Sequence, residues 1–139
     1  MRKIVDKLKF SDGDILVKEG SYGDSLYLVL AGRVEISKAV EGKKSVIAIL
    51  EKGAIIGELS FVDKKPRPAT ARAVGDVEIG VIDKEFLDYE LNKMSYEFSF
   101  VLNALAERLR QTTEEYALLK AEHDRLKEKL GISGRTVKL

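Results

Sequence analysis

The stretch IIGELSFVDKKPRPATARA, residues 55–73, sets a carboxylate and a guanidinium nine positions apart, Glu58 and Arg67. Both groups recognise rather than react. A carboxylate accepts from paired hydroxyls or pairs with a base, and a guanidinium presents a planar fork suited to phosphate. Gly57, just before the acid, has no side chain, so backbone can approach a ligand closely there. The only two prolines of the chain, Pro66 and Pro68, flank the arginine. A residue before proline is pushed out of the helical region, so Lys65 and Arg67 are both held extended and the loop aims the guanidinium. On Glu58 and Arg67 alone, an ordinary surface ion pair is the simpler reading.

Catalysis has little to work with. The chain has no cysteine, and His123 is its single histidine. That rules out a Cys–His or Ser–His–Asp constellation at the loop and leaves too few ligands for a metal centre or a dedicated haem site. No catalytic residue, metal or cofactor is expected. Lys and Arg number 24 against 23 Asp and Glu, so no global positive field draws the protein onto nucleic acid. The absence of cysteine fits a reducing compartment, and a cytoplasmic location is expected. No apolar run approaches the roughly 18 residues of a membrane span, and MRKIVDKLKF is too short in its apolar run and too charged for a signal peptide. With 139 residues, 45% of them apolar, one core and one main domain are expected.

The elements that must position the loop come in two regimes. From about residue 14 to 82, short apolar runs alternate with glycine and charge: DILVK, LYLVLAG, RVEISKAV, SVIAIL, TARAV and VEIGVI. Val34 and Ile36, set between Arg33, Glu35 and Ser37, follow the two-residue period of a half-buried strand. The pattern predicts an antiparallel sandwich or barrel. EGSYGD, EGKK and EKG place glycine in turns, and residues 37–47 form the best hairpin candidate. After Asp83, a predicted N-cap, the period turns helical. Ser95 caps a second and much longer helix that Gly131 should stop.

That helix carries a heptad seam: Leu102, Leu105, Leu109, Thr112, Tyr116, Leu119, His123, Leu126 and Leu130, in alternating steps of three and four. A strict 3.5-residue repeat favours a coiled coil over a single core-facing stripe. Glu115 and Glu122 on one flank and Lys120 and Lys127 on the other favour a parallel pair. About 36 residues make a rod of about 54 Å, so its far end is expected to need a partner. His123 is read as a seam residue that tunes pairing with pH.

The run G-E-L-S-F-V-x-x-x-P-R-x-A-T, reached through a glycine-punctuated strand series, resembles the phosphate-binding cassette of the cyclic-nucleotide-binding domain family. DGDILVKEGSYGDSLYLVLAGRVEI is similar to that family's first strands, and LAERLRQTTEE to the C-terminal helix of its bacterial activator members. The resemblance implies an α+β fold: an antiparallel, eight-stranded β jelly roll (double-stranded β-helix) with a short N-terminal segment and a long C-terminal helix forming a coiled coil. It implies that Glu58 accepts from a ribose 2′-hydroxyl and Arg67 pairs with the cyclic phosphate, with Gly57, Leu59, Ser60, Pro68 and Ala69 around them. Arg108 would approach Glu58 from the helix, and Thr112 and Thr113 would reach the adenine amino group, one of them from the partner subunit. Val34, Ile36 and Ile47 would touch the base. The sequence departs from the family at Pro68, which has no N–H to offer the phosphate and no hydroxyl. The missing hydroxyl favours cAMP over cGMP.

The expected organisation is a β-roll with a short helix over residues 1–94, a dimerisation helix over 95–130 and a flexible tail over 131–139. The expected partners are a cyclic nucleotide, a second copy of the chain and an unknown downstream protein that reads the helix. Nucleic acid is not expected, because the nine residues GISGRTVKL after the helix are too few for a helix-turn-helix, and a membrane is not expected for want of a long apolar run. The alternative function is a structural dimerisation module on the same fold with no ligand.

Overall fold

The computed structural model describes residues 4–131. Six antiparallel strands, β1 (Ile4–Phe10), β2 (Ile15–Val17), β3 (Tyr27–Val40), β4 (Lys43–Leu50), β5 (Ile55–Ile56) and β6 (Thr70–Ile82), join in one sheet of order β1-β6-β3-β4, with β2 on β6 and β5 on β3. Three helices follow the chain: α1 (Glu58–Asp63), α2 (Lys84–Asn92) and α3 (Tyr96–Lys129).

The spine is the β3·β6 pair. The sequence suggests four strands where the structure runs two long, bent ones: LYLVLAG and RVEISKAV are continuous in β3, and TARAV and VEIGVI in β6. The bend is a bulge. Ala31 pairs with Glu78 and Arg33 with Val74, so three residues of β6 oppose Gly32 alone, and an unequal count of this kind kinks the ladder without ending it. Gly32 has φ 88°, and a Cβ there would lie 2.3 Å from the Asp76 carbonyl oxygen, so no other residue fits. Each half of the spine then has its own neighbours. On one side of the bulge β6 takes β1 through Val77–Ile82 and β3 takes β5 through Tyr27 and Leu28; on the other β6 takes β2 through Ala71 and Arg72, and β3 takes β4 through Val34–Val40.

Alternation along the spine fills the interior. Val29, Val34, Ala71, Ala73, Val77 and Ile79 form the main core with Val17 and Ile56. A second cluster, Leu26, Phe61 and Ile82, lies where α1 and α2 meet the sheet. The predicted hairpin is β3–β4, turned by Glu41 (φ 52°) and Gly42 (φ 77°), the two positive φ values of a two-residue turn. Both predicted N-caps are present: Asp83 accepts from the Phe86 N–H at 3.3 Å and Ser95 from the Phe98 N–H at 3.1 Å. Gly131 follows α3 with φ 69° and donates to the Glu128 carbonyl at 3.1 Å. The rest of the expected tail, 132–139, lies outside the described residues.

α3 departs from a rod with an uncovered end. Its C-terminal half lies along the β3–β4 hairpin: Ser45 Oγ donates to the Ala117 carbonyl at 3.0 Å, Lys120 to the Val46 carbonyl at 3.1 Å, and Arg125 pairs with Glu41 at 2.7 Å. The part of the helix without the sheet beneath it is its beginning, where Tyr96 is 79% exposed. Lys120, expected to meet a partner's glutamate, is engaged with its own chain because the helix turns that flank toward the hairpin.

Candidate functional site

Two short segments close over one side of the sheet. The turn after β5 places Gly57 at φ 95°, and a Cβ there would sit 2.5 Å from Arg67 Nη1 and 2.6 Å from the Ser25 carbonyl oxygen. Glycine is required by both backbone and space. α1 follows, ends at Lys64 in the left-handed region (φ 57°), and hands over to the extended stretch that carries Arg67. The β2–β3 loop straps that stretch down. Gly20 N–H donates to the Arg67 carbonyl and Arg67 N–H to the Ser21 carbonyl, each at 2.8 Å, and Glu19 N–H donates to Thr70 Oγ1 at 3.0 Å. The strap is itself pinned: Asp24 meets Lys84 at 2.9 Å and Lys64 at 3.1 Å, and Lys64 also meets Asp88 on α2 at 3.3 Å. The Lys84 hydrogen bond holds the Asp24 carboxyl below its ordinary range, against the opposing effect of burial.

The result is a cavity of about 220 Å³. Gly57, Glu58, Leu59, Arg67, Pro68 and Ala69 form one wall; Ile36, Ile47, Ala48 and Leu50 of the β3–β4 hairpin form an apolar one; Leu109 and Thr113 of α3 close the third side. Arg67 is 6% exposed. Its guanidinium donates to the Ser25 carbonyl (3.2 and 3.3 Å) and the Gly57 carbonyl (3.4 Å). Neutral acceptors leave its charge uncompensated, and among the described residues no carboxylate, Glu58 included, forms an ion pair with it. The ordinary Glu58–Arg67 salt bridge is therefore not what these residues make.

Four expected site residues stand elsewhere. Val34 is fully buried in the core and so has no surface to offer a base, whereas Ile36, two residues further along the same face of β3, lines the cavity. Ser60 is also fully buried, its hydroxyl accepting from Arg110 Nη2 at 3.4 Å. Thr112 is exposed on the seam side of α3 while Thr113 faces inward. Arg108 is exposed as well, and the arginine that reaches the cassette is Arg110.

Arg110 is the residue that the motif did not reveal. Its Nε and Nη2 clasp both oxygens of Asp63 at 2.5 and 2.8 Å, and its Nη1 donates to the Pro66 carbonyl at 2.8 Å. Burial works to raise the Asp63 pKa, but the Arg110 hydrogen bonds and the Lys65 N–H at 3.0 Å outweigh it and hold the carboxyl below its ordinary value. A signal was present: Ala106, Arg110, Thr113, Ala117 and Lys120 repeat every three or four residues, a second stripe beside the leucines. Lys38 was missed for a different reason. A lysine in an alternating strand reads as solvated, yet it is 8% exposed and pairs with Glu19 and Glu114 at 3.3 and 3.1 Å.

No group of three or more His, Cys, Asp or Glu among the described residues could hold a metal ion, and no helix there is long and apolar enough to cross a membrane. A buried guanidinium beside an apolar slot is what the geometry offers. Comparison with known proteins points the same way. The chain is 31% identical over 125 residues to a cAMP-dependent protein kinase regulatory subunit of Blastocladiella emersonii, covering 87% of this chain and 28% of that one. Its fold superposes on the cAMP-bound form of an EAL enzyme with a TM-score of 0.73 at 25% identity, over 90% of this chain and 33% of that one. It also superposes on the Thermus thermophilus catabolite activator protein with a TM-score of 0.61 at 29% identity, over 82% of this chain and 54% of that one. The chain thus spans about a quarter to a half of the length of these relatives. Residues 7–93 match the model of the cyclic nucleotide-binding domain, and the chain belongs to that family.

Proposed function

We propose that the domain binds cAMP in this cavity in preference to cGMP, and that the ligand state is coupled to a parallel coiled-coil dimer of α3. The observation that carries the reading is the buried Arg67 guanidinium, held by carbonyls alone on a wall shared with Gly57, Glu58, Leu59, Pro68 and Ala69. An uncompensated buried cation attracts an anion strongly. Arg67 takes the cyclic phosphate, Glu58 the ribose 2′-hydroxyl, and Ile36 and Ile47 the face of the base, with Thr113 at the amino edge. Names of relatives support the ligand class: a cAMP-dependent kinase regulatory subunit and a cAMP-bound enzyme. Pro68 carries no hydroxyl for a guanine contact, which supports cAMP.

For the dimer, support comes from the outer face of α3. Leu105, Leu109, Tyr116, Leu119, Leu126 and Leu130 are all about half exposed or more in the single chain, in the spacing of a two-stranded seam. A second copy covers them, and brings its Thr112 toward the first copy's cavity beside Thr113. In this reading residues 1–94 act as a sensor without catalysis, 95–130 as its output, and a downstream protein reads the helices.

Calorimetry with cAMP, cGMP and 2′-deoxy-cAMP tests the site. Arg67→Ala is expected to cost more than about 1.5 kcal/mol of cAMP affinity. Equal binding of 2′-deoxy-cAMP and cAMP would remove the role of Glu58. Sedimentation with and without cAMP tests the coupling, since linkage is reciprocal: ligand that favours the dimer must bind the dimer more tightly.

A further inference from the structure

Lys38 lies on β3 directly behind Pro68. Its Nζ donates to the Pro68 carbonyl and pairs with Glu19 Oε2 at 3.3 Å and Glu114 Oε2 at 3.1 Å. An ammonium has three donors and no acceptor, so three acceptors from three segments saturate it. Only such pairing makes a buried lysine tolerable. Glu19 is fixed in turn, its Oε1 accepting from the Ala39 N–H at 2.9 Å.

The consequence runs through the peptide unit that joins Pro68 to Ala69. Lys38 does not line the cavity, whereas Pro68 and Ala69 do. The carbonyl drawn to Lys38 is thus turned away from the ligand space. A peptide unit is planar and trans, so its N–H points opposite to its C=O. That N–H belongs to Ala69, and none of the described residues accepts from it.

We propose that Lys38 orients the Pro68–Ala69 peptide so that the Ala69 N–H faces the cavity and supplies the phosphate donor that Pro68 cannot. Lys38 is a positioning residue that never touches the ligand. Glu114, one residue beyond Thr113, ties the same ammonium to α3, so the donor is held in place by the docked helix. The inference rests on the cyclic nucleotide reading above and adds the atom by which this chain accommodates its proline.

Two measurements on the full chain test it. In nitrogen-15 NMR, saturation with cAMP should move the Ala69 amide proton downfield, as a new bond to a charged oxygen requires. In calorimetry, Lys38→Met should weaken cAMP roughly tenfold, the worth of one hydrogen bond to a charged group. It should also narrow the ratio between the Sp and Rp phosphorothioates of cAMP, because an N–H aimed at a single phosphate oxygen is lost, while Lys38→Arg retains part of that ratio. A general loss of structure would leave the ratio unmoved. Arg67-dependent cAMP binding with a stationary Ala69 amide, or with the same affinity and ratio in Lys38→Met, overturns this inference alone. No binding of either cyclic nucleotide by the wild-type chain overturns the functional reading and this inference with it. If Lys38→Met fails to fold, the wild-type amide shift decides.

Discussion

The two long faces of α3 are inverted relative to an ordinary amphipathic helix. The face on the sheet carries Ala106, Arg110, Thr113, Ala117 and Lys120 and is held by polar contacts to Asp63, Ser45 and Val46. The face turned to solvent carries the leucines, Leu119 being 70% exposed. Small residues let the helix lie close to the sheet, and each clamp has a defined partner and a defined length. Leucines confer strength but little register. The domain thus fixes the position of its helix with polar bonds and leaves its leucines exposed, which is what the proposed dimer would use.

Breaking the outer face should have the largest effect. Leu119→Lys with Leu126→Lys is expected to weaken self-association by about a thousandfold or more, since each leucine forfeits about 1.5–3 kcal/mol of burial and a dimer contains four of them. Light scattering would then show a monomer with an intact sheet signal. A wild-type chain that stays monomeric at micromolar concentration would end the comparison.

Breaking the inner face comes next. Arg110→Met strands the Asp63 carboxylate, whose side chain is 6% exposed, and should cost about 3 kcal/mol in urea unfolding. The pair Arg110→Met with Asp63→Leu should recover much of that loss, because removing both charges removes the unpaired one. A third, smaller effect sharpens the assignment by pH. The Asp63 pKa is lowered in the folded chain, so its stabilisation is complete above its ordinary value of about 4 and is lost as pH falls through the folded value. Asp63→Asn should flatten the fall of the urea midpoint in that acidic window. The smallest effect belongs to Ser45→Ala, which deletes the bond to the Ala117 carbonyl and should cost about 1 kcal/mol.

Much of the architecture was legible because it rests on local rules. Alternation gave the strands, Asp83 and Ser95 gave the helix starts, and Gly42 gave the hairpin, each from residues a few positions apart. The cassette was legible for the same reason: Gly57 to Ala69 is one continuous run. What stayed hidden depends on pairs distant in the chain. Lys38 meets Glu114 and Arg110 meets Asp63, and nothing local distinguishes Lys38 from a solvated strand lysine or Arg110 from Arg108 two positions earlier. Val34 shows the opposite limit. Its apolar type and two-residue spacing announced a shared inward face with Ile36, but alternation says nothing of position along that face, and Val34 lies under the core while Ile36 reaches the cavity. α1 escaped because six residues are too few to display a helical period.

The bent spine also fixes an order of events during folding. β3 and β6 pair Tyr27 with Val81 and Arg33 with Val74, contacts across some forty to fifty intervening residues, whereas the β3–β4 hairpin closes over two. Loop closure of the longer kind is entropically costly and slow. The whole cassette lies inside that loop, between the two strands that must find each other. On a ribosome, therefore, the hairpin can form early, but the ligand cavity does not exist until β6 has been synthesised and paired, and α3, which follows β6 in the chain, finds its dock already complete.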